Sequence, residues 1–495
     1  MRREIIIIGG GIGGLSAGTY AAMNGYRTRI FEMHSLPGGV CTSWRRKGYT
    51  FDGCIHHLAG CRPGSHFHDL WAELGVMPGH EVFYPEELVR LEGPGGKSVT
   101  IYTDLDRLEE SMARAAPADA KTTGKWVSAM RRLAGTDVTE AGLMSWREKL
   151  ALLRYIPEFA SWGRYTLDSF ALRRLRDPFL RKVWPSMLYD TPSNPQIIQM
   201  NLLAACSNGD YGWPAGGSLA FARRLAERCQ QAGCEIHYKA KVEEVLVEND
   251  RAAGIRLADG TEEHADAVIS NAPGYPTIYG MLGGRYTSKG IRQYYGSPVD
   301  EIGMGIHVSL GIDMDLSGEP HAIVSLLEKP VLIAGQERDR LNIEIFSFDP
   351  SMAPAGKTSL KVTFKTGYSF WKQLYSDRTA YDAAKQAAAQ AVIDVLDKRF
   401  SSLAGRIEAV DVATPITTER YTGTGHGFKM SPLTFLKGAA TGKGLSMTLP
   451  GLQDFYMVGQ WAGTPGLTMV TAMGRKVIKS ICGEDGKTFL QRPAS

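Results

Sequence analysis

Long apolar runs are missing from this chain. Nowhere among its 495 residues do about eighteen apolar side chains follow one another, so no membrane-spanning helix is expected. Cysteine is scarce and irregular. Seven occur, at 41, 54, 61, 206, 229, 234 and 482, an odd set that excludes the disulfide framework of a small secreted domain and points to a reducing compartment. Neither charge sign dominates: 56 Lys and Arg against 52 Asp and Glu leave +4, with no concentrated basic face of the kind nucleic acid requires. Low-complexity tracts are also lacking, and 43% hydrophobic with 22% charged residues is a folded, globular composition. The length implies two or three interleaved domains. The amino terminus, MRREIIIIGGGIGGLSAG, mimics a secretion signal, but its apolar run Ile5 to Ile8 yields to glycine without a cleavage context. These absences lead to an expected cytoplasmic protein, soluble or peripheral on the inner face of a membrane.

Glycine, by contrast, is plentiful, and it clusters. The run EIIII has the β-branched content of a strand buried on both faces, and it leads directly into Gly9-Gly10-Gly11-Ile12-Gly13-Gly14. Glycines at 9, 11 and 14 satisfy G-x-G-x-x-G. A helical stretch ended by Gly25 follows, then a second strand, RTRIF, ending at Glu32. Gly9 suits the tight strand-to-helix turn, Gly11 the close approach of a pyrophosphate, and Gly14 the packing of helix on strand. The amides around Ile12 and Gly13 open the helix and face the anion. Glu32, 18 residues past Gly14, is placed to bind a ribose diol. Strand, helix, strand and acid in register make this a dinucleotide site. A second glycine pair, Gly38-Gly39, follows the acid closely, and an NAD site does not need one.

Residues 103–205 read as a mainly helical region, and within it FALRRLRDPFLRKVW is strongly basic. Such a segment can lie on anionic lipid, but the solvated face of an ordinary helix pair is the favoured reading. Over 206–289 a helix introduced by Gly216-Gly217 precedes EIHYKAKVEEVLVEND, which is expected to pair with the following strand, with Asp259-Gly260 as a hairpin turn. Residues 290–412 alternate strands with one long helix, suiting an antiparallel sheet that floors a substrate chamber. In the last segment, 413–495, a short strand ends at Gly459-Gln460, a loop crosses Pro465-Gly466, and a helix starts near Leu467-Thr468. Its N-terminus would point at an anionic or electron-rich group.

These blocks together resemble the phytoene desaturase, carotenoid isomerase and retinol saturase family of flavoproteins. The resemblance is carried by IIIIGGGIGGLSAG, Glu32, PGGVCTSWRRKGYTFD, YGWPAGGSLAFARRL, KVEEVLVEND with VISNAP, ATPITTERYTGTGHG and YMVGQWAGTPGLTMV, and it runs nearly end to end. It implies an α/β fold: a Rossmann-like FAD domain of the glutathione-reductase-like type, assembled from 1–102, 206–289 and 413–495. A substrate domain would combine the helices of 103–205 with the sheet of 290–412. It also implies that the Gly38-Gly39 turn lies beside the FAD pyrophosphate and that the backbone of Val242 touches the adenine edge. The helix starting at Leu467 would face the flavin. Three positions depart from the family pattern: Val40 stands where Arg often follows the paired glycines, Cys54 where glycine is usual, and Gln460 where an acid is often found.

The implied chemistry is hydride transfer at flavin N5 to or from a carbon–carbon bond of an apolar polyene, isoprenoid or lipid, as a desaturase or saturase. The alternative is a reduced-flavin cis–trans isomerase with no net redox. A non-catalytic flavin or lipid binder is a third reading, and amine oxidation is disfavoured because the middle motifs do not resemble that branch. No nucleic-acid partner is expected. His56 and His57 are the candidate proton donors or acceptors, against the equally open reading that one is simply packed and hydrogen-bonded. They sit in FDGCIHHLAGC, where Cys54 and Cys61 suggest a metal box or a redox pair. The spacing fits no common zinc pattern, and on an extended strand His57 would point away from Cys54 and His56. No metal is therefore expected, and the segment reads as a chamber wall.

Overall fold

The computed structural model describes residues 3–77, 79–135, 137–187, 191–296, 304–425, 446–463 and 466–491. Pro465 and the His426-Gly427 end of the ATPITTERYTGTGHG block lie outside them. Four consecutive isoleucines leave the first strand no polar face, and Glu4–Ile8 is the middle strand of a five-stranded parallel sheet. Across that sheet the order is Glu235–Tyr238, Arg27–Glu32, Glu4–Ile8, Ala267–Ser270 and Phe455–Met457. Strands about 190 residues apart thus become neighbours, with Val268 aligned on Phe455. Helices Ile12–Met23 and Leu467–Glu484 pack together closely enough that a Cβ on Gly474 would lie 2.7 Å from the Ala17 amide. This is an α/β, Rossmann-like domain. No helix among the described residues is long and apolar enough to cross a membrane.

The second sheet has seven strands, ordered Ile407–Ala413, Met304–Ile312, Thr358–Thr366, Gln336–Ile345, Ala322–Ile333, Glu87–Glu92 and Ser98–Tyr102. Alternation gives it two different faces. Ile306, Val308, Leu310, Ile343, Leu360 and Val362 bury one face against helix Arg378–Arg399. Ser309, Asn342, Glu344, Lys361 and Thr363 occupy the opposite face.

Two sequence expectations change here. The sequence places residues 87–102 in the first FAD segment, but their strands extend the seven-stranded sheet, one of them through a parallel pairing with Ala322–Ile333. The reason is apolar burial, because Val89, Leu91, Val99 and Ile101 share a core with the helices around Trp126, Phe170 and Trp184. The segment EIHYKAKVEEVLVEND is also not one strand. Lys239 is left-handed at φ 59°, so Glu235–Tyr238 joins the parallel sheet while Val242–Glu248 pairs with Arg251–Leu257. That pairing turns at Asn249-Asp250, both at positive φ, and Asp259-Gly260 makes the next turn instead.

Candidate active site

The glycine loop forms a cradle in which side chains have no room. Gly9 adopts φ +93°, and a Cβ on Gly14 would sit 2.1 Å from the Gly9 carbonyl oxygen. A Cβ on Gly11 or on Gly13 would come within 2.6 Å of the Asn271 amide group. Gly459, at φ +91°, closes the same space from the third segment, its own ideal Cβ 2.8 Å from Asn271 Oδ1. The Gly38 amide donates to the Gly10 carbonyl at 2.8 Å, so the second glycine turn lies against the first, with Gly39 over Gly11.

Helix Ile12–Met23 begins at Gly11 without a side-chain cap, leaving its first-turn amides for an anion. Glu32 is buried beside the cradle. Its carboxylate accepts from the Gly10 amide at 2.6 Å and the His34 amide at 2.7 Å. Burial raises its pKa, and these amides offset the rise only in part. The Glu32 carbonyl receives the Ala240 amide, which brings Val242 to the same edge. Gly466, at φ +118°, caps helix Leu467–Glu484 and also offers it no side-chain bond, with Thr468 buried and Gln460 half-buried nearby in sequence. The donor set fits FAD: a side-chain-free cradle, uncapped amides, and a buried acid held at the end of the second strand.

A chamber of about 650 Å³ lies along the second sheet. Phe83, Tyr84, Tyr211, Trp213 and Phe348 supply aromatic wall, and both His56 and His57 face it. Residues 53–57 form a loop rather than an extended strand, so alternation does not apply and the two histidines share the chamber. His56 Nδ1 stands 2.7 Å from Glu344 Oε1, and Glu344 Oε2 stands 3.1 Å from Lys361 Nζ. Glu344 and Lys361 are direct cross-strand partners. Lys361 is 1% exposed and also donates to the Asp52 carbonyl at 3.2 Å. The Asp52 carboxylate accepts from the Ser218 amide and hydroxyl, and the same hydroxyl accepts from the Ile55 amide. The histidine loop is therefore pinned at Asp52 and at Ile55.

Charge is distributed unevenly in this network. Burial pushes the Glu344 pKa up, but His56 and Lys361 outweigh it and hold the carboxyl well below its usual range. His57, facing Tyr211 at 5.0 Å, is pushed by burial down to about 3 and is neutral near pH 7. His307 is likewise driven to about 3 by burial, with Lys361 adding to the shift. The cysteines flanking the histidines, Cys54 and Cys61, are free thiols, and Cys61 donates to the Leu58 carbonyl. Among the described residues no three His, Cys, Asp or Glu side chains form a group able to hold a metal ion. Sequence reasoning missed Glu344, Lys361, Asp52, Ser218 and Asn271. The available signal was a charge at an inward position of an alternating strand, in LNIEIF and in SLKVTF.

A family model for an NAD(P)-binding Rossmann-like domain matches residues 7–74. The chain is 26% identical over 455 residues to a chloroplastic prolycopene isomerase of Arabidopsis thaliana, covering 84% of this chain and 72% of that protein. It is 24% identical over 465 residues to a neurosporene-forming phytoene desaturase of Cereibacter sphaeroides, covering 86% and 85%. It is 22% identical over 467 residues to the human all-trans-retinol 13,14-reductase, covering 86% and 76%. In fold it is similar to an oxidoreductase from Methanosarcina mazei, with a TM-score of 0.62 at 18% identity over 96% of this chain and 100% of that one. With a glycine cradle fitted to a dinucleotide and relatives of three kinds aligned over most of its length, the chain is an FAD-dependent oxidoreductase similar to the phytoene desaturases, carotenoid isomerases and retinol saturases.

Proposed function

We propose that the protein oxidises or reduces a carbon–carbon bond of an apolar polyene, isoprenoid or other unsaturated lipid, as a desaturase or saturase. The observation that carries this reading is His56, anchored through Nδ1 on a half-buried, ionised carboxylate and facing an aromatic-walled chamber. FAD, when bound, supplies the two-electron step as hydride transfer at N5. The glycines at 9, 11, 13, 14, 38 and 39 would hold its pyrophosphate, Glu32 its ribose and the Val242 backbone its adenine edge. Gly459, Gln460 and the Gly466-Leu467-Thr468 helix start would hold the flavin end, in an arrangement we read as glutathione-reductase-like.

The chain's own residues then manage the proton. Glu344 keeps the His56 Nδ1 hydrogen, which leaves Nε2 to take or give a proton at the carbon next to the one exchanging hydride. Lys361 holds Glu344 ionised. His57, neutral, packs against the substrate body and does not carry the proton. Aromatic side chains exclude water and seat the conjugated chain. We place this activity in the cytoplasm, in keeping with seven free thiols.

Likeness to a prolycopene isomerase supports a second reading, cis–trans isomerisation by reduced flavin without net redox. One experiment separates them. FAD-reconstituted protein is photoreduced anaerobically and mixed with polyenes and unsaturated lipids, and products are weighed by mass spectrometry. A gain of two hydrogens with flavin reoxidation supports the saturase, and a loss of two hydrogens with flavin reduction, in a parallel anaerobic mixture started from oxidised FAD, supports the desaturase. Unchanged mass with altered geometry selects the isomerase, and failure to take up flavin at all would sink both.

A further inference from the structure

The helical region carries an apolar surface that none of the other described residues covers. Residues 146–162 form one unbroken helical run, Trp146–Ala151, Leu152–Tyr155 and Ile156–Trp162. One stripe, Leu152, Tyr155 and Trp162, packs into the helical core. The other leaves Trp146 67%, Leu150 54%, Leu153 56% and Ile156 56% exposed, with Phe159 beside them and Leu172 on the following helix. Scattered exposed leucines are ordinary, but five large apolar side chains at three- and four-residue intervals form a continuous stripe.

Charge around the stripe is mainly positive. Residues 146–182 contain nine basic and four acidic side chains. Three of the acids are already engaged: Glu148 with His66, Glu158 with Arg132 and Asp177 with Lys97. Arg147, Arg154 and Arg164 each lie over the ring of a neighbouring Trp or Tyr at 5.3, 4.6 and 5.0 Å. Apolar side chains bordered by aromatic rings and long cations match the boundary between lipid headgroups and acyl chains. A second copy of the chain would instead bring the same basic rim against itself.

We infer that residues 146–172 dock the protein on an anionic lipid bilayer, with Trp146, Leu150, Leu153, Ile156 and Phe159 entering the headgroup boundary and the surrounding arginines and lysines meeting lipid phosphates. The inference goes beyond the redox reading and does not depend on which bond the flavin acts upon. It gives an apolar substrate a source, the membrane itself. The basic FALRRLRDPFLRKVW segment contributes Leu172, Arg173 and Arg174 to this surface, while Phe170, Phe179 and Leu180 are buried beneath it.

Flotation of the FAD-loaded full chain tests it, using vesicles of phosphatidylcholine with phosphatidylglycerol and vesicles of phosphatidylcholine alone. The protein is expected to float with the anionic vesicles and less with the neutral ones. Leu153→Glu with Ile156→Glu should lower the bound fraction by about tenfold or more, while Leu332→Glu, at a 69% exposed site on the large sheet, changes nothing. Flavin content and activity on detergent-dispersed substrate should be the same in all three, so a failure of docking is distinguishable from a failure of the redox assignment. Absence of flotation, or equal flotation of the double variant, would overturn the inference. So would a wild-type dimer in light scattering that the double variant breaks, since that would make the stripe a contact between copies.

Discussion

The glycine cradle and the histidine chamber lie within one molecule and are built by opposite means. In the cradle, side chains are removed so that backbone amides can meet a ligand, and a Cβ on Gly14 would come within 2.1 Å of a carbonyl oxygen. In the chamber, side chains supply the polar groups, and they converge from separate segments: His56 from a loop, Glu344 and Lys361 from two strands, with Asp52 and Ser218 holding them. A backbone site tolerates almost no added atom. A charged network tolerates changes of shape but not the loss of one partner.

The largest effect should come from the cradle. Gly14→Ala is expected to weaken FAD binding about a hundredfold, matching an overpacking cost of about 3 kcal/mol, as read by flavin fluorescence titration. If the variant binds FAD normally, the cradle is not the tight element described. Glu344→Gln should spare FAD binding but leave Lys361 buried beside a neutral amide. A loss of about 3 kcal/mol in denaturant unfolding is expected, with turnover down about a hundredfold. Equal turnover would show that the network only stabilises. Next come the two histidines. His56→Gln should reduce turnover about a hundredfold with flavin reduction potential unchanged, whereas His57→Gln should cost less than about threefold. Reversed results would transfer the proton to His57.

The smallest effect concerns pH. His57 and His307 bind a proton near 6.5 when unfolded but only near 3 when folded. Unfolding therefore takes up protons between these values, so stability is fully present above pH 6.5 and declines as pH falls toward 3. Glu344, with its folded pKa depressed, adds to the loss below the usual carboxylate range of 4.5. Melting temperature followed against pH should be level above 6.5 and fall below it, and His307→Phe should make the fall shallower.

The cradle was legible because its requirements are local. A β-branched strand, glycines at 9, 11 and 14, and an acid at 32 occupy one short stretch, and each follows from a backbone constraint on its neighbours. Even there Asn271 escaped, since nothing in VISNAP says that its side chain will reach a glycine loop more than 250 residues earlier. The chamber was only half legible. His56 and His57 drew attention by composition, but alternation was the wrong rule for a loop.

By itself, the sequence determined the dinucleotide loop, the absence of a spanning helix and the general division into nucleotide and sheet regions, because periodicity and glycine placement act over a few residues. Tertiary structure decided which carboxylate meets His56, which histidine stays neutral, where residues 87–102 belong and which apolar stripe stays uncovered. Those outcomes depend on burial and on charges brought together across the chain, and neither depth nor distance is written in local order.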